Sequence, residues 1–82
     1  MADRDEIQIW LADFLKQRDP EGRVPAADAD LFDGGYLDSL GMILMISAIA
    51  DRFGITLSPD ELSEDSFSTM SAVIELVMKE SA

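Results

Sequence analysis

The sequence predicts an all-α fold: a small bundle of three main helices plus one short helix, with a long first loop between the first two. Three observations lead there. Apolar residues recur at i, i+3, i+4, i+7 and i+8 near both ends of the chain. The middle carries an apolar run of helical length, too often charged at its borders to cross a membrane. Helix-start and helix-stop residues bracket each of these runs. With 82 residues the chain is read as one domain spanning 1–82. A chain of this length buries only about 60–65% of its unfolded surface, so its core must be compact and largely local.

The first helix is expected from about Asp3 to Arg18. Asp3 and Glu6 have the capping-box spacing, and Ile7, Trp10, Leu11, Phe14 and Leu15 build one apolar stripe. Trp10 sits mid-stripe and reads as a core anchor. Asp19-Pro20-Glu21-Gly22 ends the helix, and Val24-Pro25 keeps the chain extended. The connection from Asp19 to Leu37 is long for so small a domain, and such loops are functional or tied down by their own apolar residues. Leu31 and Phe32 are the expected plugs, with Asp28, Asp30 and Asp33 left in water. Those aspartates lack the spacing and closing glutamate of an EF-hand, so no metal site is assigned.

The second helix is expected from Ser39 to Phe53, with Gly54 taking the left-handed stop and Ile55 folding back on the last turn. Ile46, Ile49 and Phe53 are assigned to its inward face, flanked by Met42, Met45 and Ala50. Leu40, Gly41, Leu44, Ala48 and Asp51 are assigned to the opposite face. That face is greasy for a surface, and it is read as a partner-binding site. Ile55-Thr56-Leu57 is a short link. Ser58-Pro59-Asp60-Glu61 then has the composition of a helix start, for one or two turns through Leu62. The last helix begins near Ser68 or Thr69, with Met70, Val73, Ile74, Val77 and Met78 on its stripe and Lys79 at its negative end.

Composition narrows the chemistry. There is no cysteine and no histidine, which removes thiolate metal sites, disulfides, the commonest general base and the commonest metal ligand. A serine without a base is no nucleophile, so a small enzyme is a poor reading. Asp and Glu outnumber Lys and Arg by 17 to 6, for a net charge of −11. Such a surface repels nucleic acid and anionic membranes and suits partners with basic patches. A hydrophobic content of 48% argues against disorder despite that charge. With no signal-peptide pattern, the cytoplasm is the expected compartment.

The remaining feature of note is Leu37-Asp38-Ser39-Leu40, where the loop meets the most apolar helix. Asp38 can cap that helix by accepting from a first-turn N–H. Ser39 then sits near the positive end of the helix dipole, where an attached anion such as a phosphodiester is favoured. Gly34 and Gly35 allow a sharp turn just upstream and leave the serine uncrowded.

Taken with Asp30-Leu31-Phe32, Gly35-Tyr36-Leu37-Asp38-Ser39-Leu40, Phe53-Gly54-Ile55 and Phe67-Ser68-Thr69, the chain resembles the phosphopantetheine-dependent carrier proteins, which hold acyl, aminoacyl or peptidyl groups. The resemblance implies that Ser39 carries 4′-phosphopantetheine as a phosphodiester, installed from coenzyme A by a separate phosphopantetheinyl transferase that also recognises Asp38. The arm's thiol, and no side chain of the protein, would hold the cargo as a thioester. Further implied partners are an acyl- or aminoacyl-loading ligase and a downstream enzyme that takes the acyl or aminoacyl group, with the carrier itself a monomer. Without flanking domains it reads as a separate protein, although an excised domain would look the same. Many fatty-acid-synthesis carriers place acidic residues two and five positions after the serine. Here those positions are Gly41 and Leu44. Glycine directly after Ser-Leu is similar to D-alanyl and other free-standing aminoacyl carriers, and an apolar helix face is similar to peptidyl carriers. The resemblance therefore implies a dedicated biosynthetic pathway. The alternative from another class is an acidic helical adaptor, in which Ser39 is only a helix-start residue.

The carboxylate excess also sets an expectation for stability. Self-repulsion strains the folded state, so added monovalent salt should raise the melting temperature progressively, by diffuse screening. A stoichiometric, tightly held ion in calorimetric titration would contradict that account.

Overall fold

The fold is that of a computed structural model, which describes residues 3–58 and 61–81. Among the described residues three α-helices occur in order, α1 (Arg4–Arg18), α2 (Ser39–Phe53) and α3 (Met70–Ser81), with a 3-10 turn at Asp65–Phe67. The fold is the all-helical bundle expected. α3 packs against α1, α2 and the 3-10 turn.

The helix ends follow their capping chemistry. Asp3 accepts the Glu6 N–H at 2.7 Å and so pairs one of the donors that the first turn of α1 leaves open. Gly54, at φ 66°, takes the left-handed stop of α2, and its N–H reaches the Ala50 carbonyl. Thr69 caps α3 through its hydroxyl, which accepts from Ala72 N–H at 3.0 Å. At the fourth start, Glu61 accepts the Ser58 N–H at 2.9 Å, the return bond of a capping box. The expected proline at Pro59 and the helix built on it lie partly outside the described residues. The last helix is expected from the sequence to start after this 3-10 turn, with no element assigned to Asp65–Phe67 itself. The turn exists to drive Phe67 into the core, where it is fully buried.

The core takes side chains from one face of each helix. Ile7, Leu11 and Leu15 come from α1, Met45 and Ile49 from α2, and Met70, Val73, Ile74 and Val77 from α3. Trp10 packs at the rim, stacked on Phe14 and edge-on to Phe53, each at a centroid distance of 5.4 Å. These contacts join the outer sides of α1 and α2. Met78 is exposed and leaves the expected stripe.

One expectation is corrected here. The inward face of α2 is Gly41, Met45 and Ile49, not Ile46, Ile49 and Phe53. Ile46 and Phe53 are half-buried. The helix is apolar nearly all round, so periodicity alone does not choose its face. The choice is made by what arrives beside it, since a Cβ on Gly41 would meet Leu37, Asp38 and Arg18 atoms at 3.1–3.2 Å. Gly41 is therefore buried and does not belong to the outer face to which the sequence assigns it.

The long loop is pinned as expected by Leu31, which is fully buried, with Phe32 half-buried beside it. Leu31 N–H donates to the Ser68 carbonyl at 2.7 Å, and its own carbonyl accepts from Tyr36 and Leu37 N–H, each at 2.9 Å. Asp30 holds the turn by accepting from Phe32 and Asp33 N–H. Gly35 completes it at φ 79°, a conformation that disfavours other residues. Asp28, Asp30 and Asp33 are exposed.

The start of the loop is fixed by a residue that the sequence offered only as a helix-ending turn. Asp19 is buried, and its carboxylate accepts from the Glu21 and Arg23 N–H groups and from the Arg23 guanidinium, the last at 2.8 Å. Arg23 in turn lies over the Tyr36 ring, 5.0 Å from its centroid. The Arg23 side-chain hydrogen bond, helped by the backbone donors, lowers the Asp19 pKa from its ordinary 3.8 to about 2. A carboxyl more acidic when folded than when unfolded contributes stability above its unfolded pKa, and that contribution is lost as pH falls through the folded value. Asp19→Asn should therefore lower the melting temperature at neutral pH and flatten its decline between about pH 4 and pH 2, measured by circular dichroism against the parent.

Candidate functional site

The site is the junction of the pinned loop with the first turn of α2. Asp38 stands at the N-cap in extended conformation, and its Oδ1 accepts the Gly41 N–H at 2.6 Å. That bond turns the carboxylate inward along the first turn. Ser39, the first residue of the helix, is exposed, and its hydroxyl makes no hydrogen bond among the described residues. Its capping role falls to Asp38, so the hydroxyl is available for chemistry done by another protein.

The surroundings fit a phosphodiester on Ser39. The helix dipole is positive at this end, and the N–H of Leu40 lies in the open first turn. Upstream in the loop, no side chain fits at Gly34: a Cβ would stand 2.8 Å from the Asp30 carbonyl oxygen and 2.9 Å from the Tyr36 ring. Arg18 is a component that sequence reading missed. Its Nη2 approaches Gly41 so closely that a Cβ there would lie 3.2 Å away. A cation from the end of α1 thus sits against the same turn as Asp38 and offsets some of the repulsion between that carboxylate and an added phosphate. Nothing in the linear sequence joins Arg18 to residue 41. The pairing is tertiary.

Of the outer face expected on α2, Leu40 and Leu44 are exposed, at 62% and 43%, and Ile43 joins them at 61%. Asp51 is exposed and Ala48 is half-buried. The stripe is Leu40, Ile43, Leu44 and Ala48 with Asp51 at its far end, and Gly41 drops out to the inside. Ile43 was legible in principle. It lies three residues beyond Leu40, and a helix phased on Met45 and Ile49 turns it outward. Among the described residues no cluster of three or more acidic side chains has the geometry to hold a metal ion, and no helix is long and apolar enough to cross a membrane.

Comparison with known proteins agrees with this geometry. Residues 6–77 match the family described as the phosphopantetheine attachment site. The chain is 38% identical over 70 residues to a D-alanyl carrier protein of Streptococcus sanguinis, covering 85% of this chain and 89% of that protein. It is 36% identical over 74 residues to a D-alanyl carrier protein of Streptococcus suis, covering 90% and 94%. A D-alanyl carrier protein of Lactobacillus delbrueckii subsp. bulgaricus is 27% identical over 74 residues. By its matched length and its relatives, the chain belongs to the phosphopantetheine-dependent carrier proteins, non-catalytic substrates of phosphopantetheinyl transferases.

Proposed function

We propose that Ser39 is the attachment point of 4′-phosphopantetheine, that the cargo is an amino acid, and that a dedicated ligase loads it for a downstream transferring enzyme. The observation that carries the first part is an exposed, unbonded serine hydroxyl at the positive end of α2, with Asp38 already serving as the cap. When bound, the arm supplies a thiol that holds the cargo as a thioester, while the chain's own residues present, orient and expose it. The aminoacyl cargo is supported by the D-alanyl carrier relatives and by Gly41 and Leu44 standing where many fatty-acid carriers have acids. The adaptor reading is not favoured, because it leaves Ser39 without a role in a chain of this family. The chain is read as one carrier domain.

Ser39→Ala should abolish modification by a broad-specificity transferase and coenzyme A, read as the loss of one arm's mass in intact-protein mass spectrometry. Its stability cost should stay under about 1 kcal/mol, since the cap is elsewhere. An arm on Ser47, Ser58 or Ser68 would overturn the assignment.

Partner recognition is proposed to run through the outer stripe of α2. Burying one leucine at an interface is worth about 1.5–3 kcal/mol, which is tenfold or more in binding. Leu44→Glu should weaken loading by the cognate ligase at least tenfold with little change in melting temperature. Met45→Glu, one residue on and fully buried, should unfold the domain. Loading should fall only modestly with added salt. A steep salt dependence would instead assign recognition to the acidic residues.

A further inference from the structure

Beyond the stripe, α2 borders a shallow groove between its last two turns and the strap Gly54–Thr56. Leu44, Ser47, Ala48 and Asp51 line one wall, and Ile55 and Thr56 the other. Its volume, about 640 Å³, is in the range of small-molecule sites. We infer that this groove receives the aminoacyl end of the protein's own loaded arm, with the Asp51 carboxylate pairing the cargo's α-ammonium. The inference rests on the aminoacyl reading above.

Reach, charge and chemistry each support it. Asp51 lies twelve residues after Ser39, which is about 18 Å along a helix. From the serine oxygen to the sulfur the arm has about fourteen bonds, and an extended chain of that length spans roughly 17 Å. A thioester and one more carbon bring the α-nitrogen to about 20 Å. The arm therefore ends where the groove lies, having run along the outer side of α2 past Ile43. The electrostatics at that end favour a cation. The groove meets the last turn of α2, where the helix dipole is negative, and Asp51 has no ion-pair partner within 4 Å among the described residues. The neighbouring Arg52 is directed elsewhere, 3.9 Å from Glu6 of α1. The Ser47 and Thr56 hydroxyls offer hydrogen-bonding groups beside the thioester, and Leu44, Ala48 and Ile55 offer apolar contact for a short side chain. An uncharged acyl group would meet the same walls without the ion pair.

The test loads the full chain with a broad-specificity transferase from coenzyme A, propionyl-coenzyme A or alanyl-coenzyme A, which bypasses the cognate ligase. Amide nitrogen–proton spectra are recorded below neutral pH, where the α-amine is protonated. Alanyl loading should shift the amides of Ser47, Asp51 and Thr56. Those shifts should be lost with propionyl cargo and lost in alanyl-loaded Asp51→Asn, yet kept in Asp51→Glu. Identical alanyl and propionyl spectra at these positions, or shifts that survive Asp51→Asn, would overturn the inference and leave the carrier reading standing. A chain that gains no arm mass would overturn both.

Discussion

Leu31 carries more of this architecture than any residue of the helices. Its side chain is fully buried, its N–H is bonded to the approach of α3 through Ser68, and its carbonyl holds the N–H groups of Tyr36 and Leu37. One residue thereby fixes the distance between α3 and the start of α2. Asp38 and Ser39 follow immediately, so the position of the serine is inherited from a knot eight residues upstream. A long loop costs little extra closure entropy as it lengthens. What it costs is order, and here the order comes from buried apolar contact and from backbone groups paired within the turn.

The cations are few and their placement is selective. Arg23 neutralises buried Asp19 and covers Tyr36. Arg52 reaches Glu6, and Lys79 lies 3.6 Å from Glu61. Arg18 rests against the first turn of α2. Each tethers a loop or a helix end to another element. The Arg52–Glu6 contact is exposed on both sides and so weak, whereas Glu61 is largely buried and also accepts from Ser58. Asp19 differs because its carboxylate is buried and held by several donors at once. Among the described residues the other carboxylates, apart from Glu21 at 3.8 Å from Arg23, have no ion-pair partner within 4 Å and so remain available to basic surfaces of other proteins.

Much of this was legible in the sequence because caps and stripes are local. The cap at Asp3, the stop at Gly54, the plug at Leu31 and the span of α2 all follow from short-range chemistry. The phase of α2 was not legible. A helix with Leu, Met, Ile and Ala on every side has no polar face to mark the outside, and the burial of Gly41 depends on Leu37 and Arg18 arriving from other segments. The buried carboxylate of Asp19 was hidden for the same reason, since an Asp-Pro-Glu-Gly turn reads as solvated until Arg23 folds back on it. At the candidate site, Asp38 and Ser39 were legible from their position at a helix start, Ile43 only once the phase of α2 is known, and Arg18 only from the packed structure.

The exposed stripe on α2 is one helix face wide, with three large apolar side chains on it. If every partner of the carrier meets it there, no two can be bound together, and the pathway becomes a queue served in turn. In such a queue the slowest departure limits throughput. A substitution at Ile43 that tightened one encounter would lengthen that partner's residence and delay the rest, since affinity differences among related complexes lie mostly in the off-rate. The stripe is thus constrained from two sides: apolar enough to be found, and small enough to be let go.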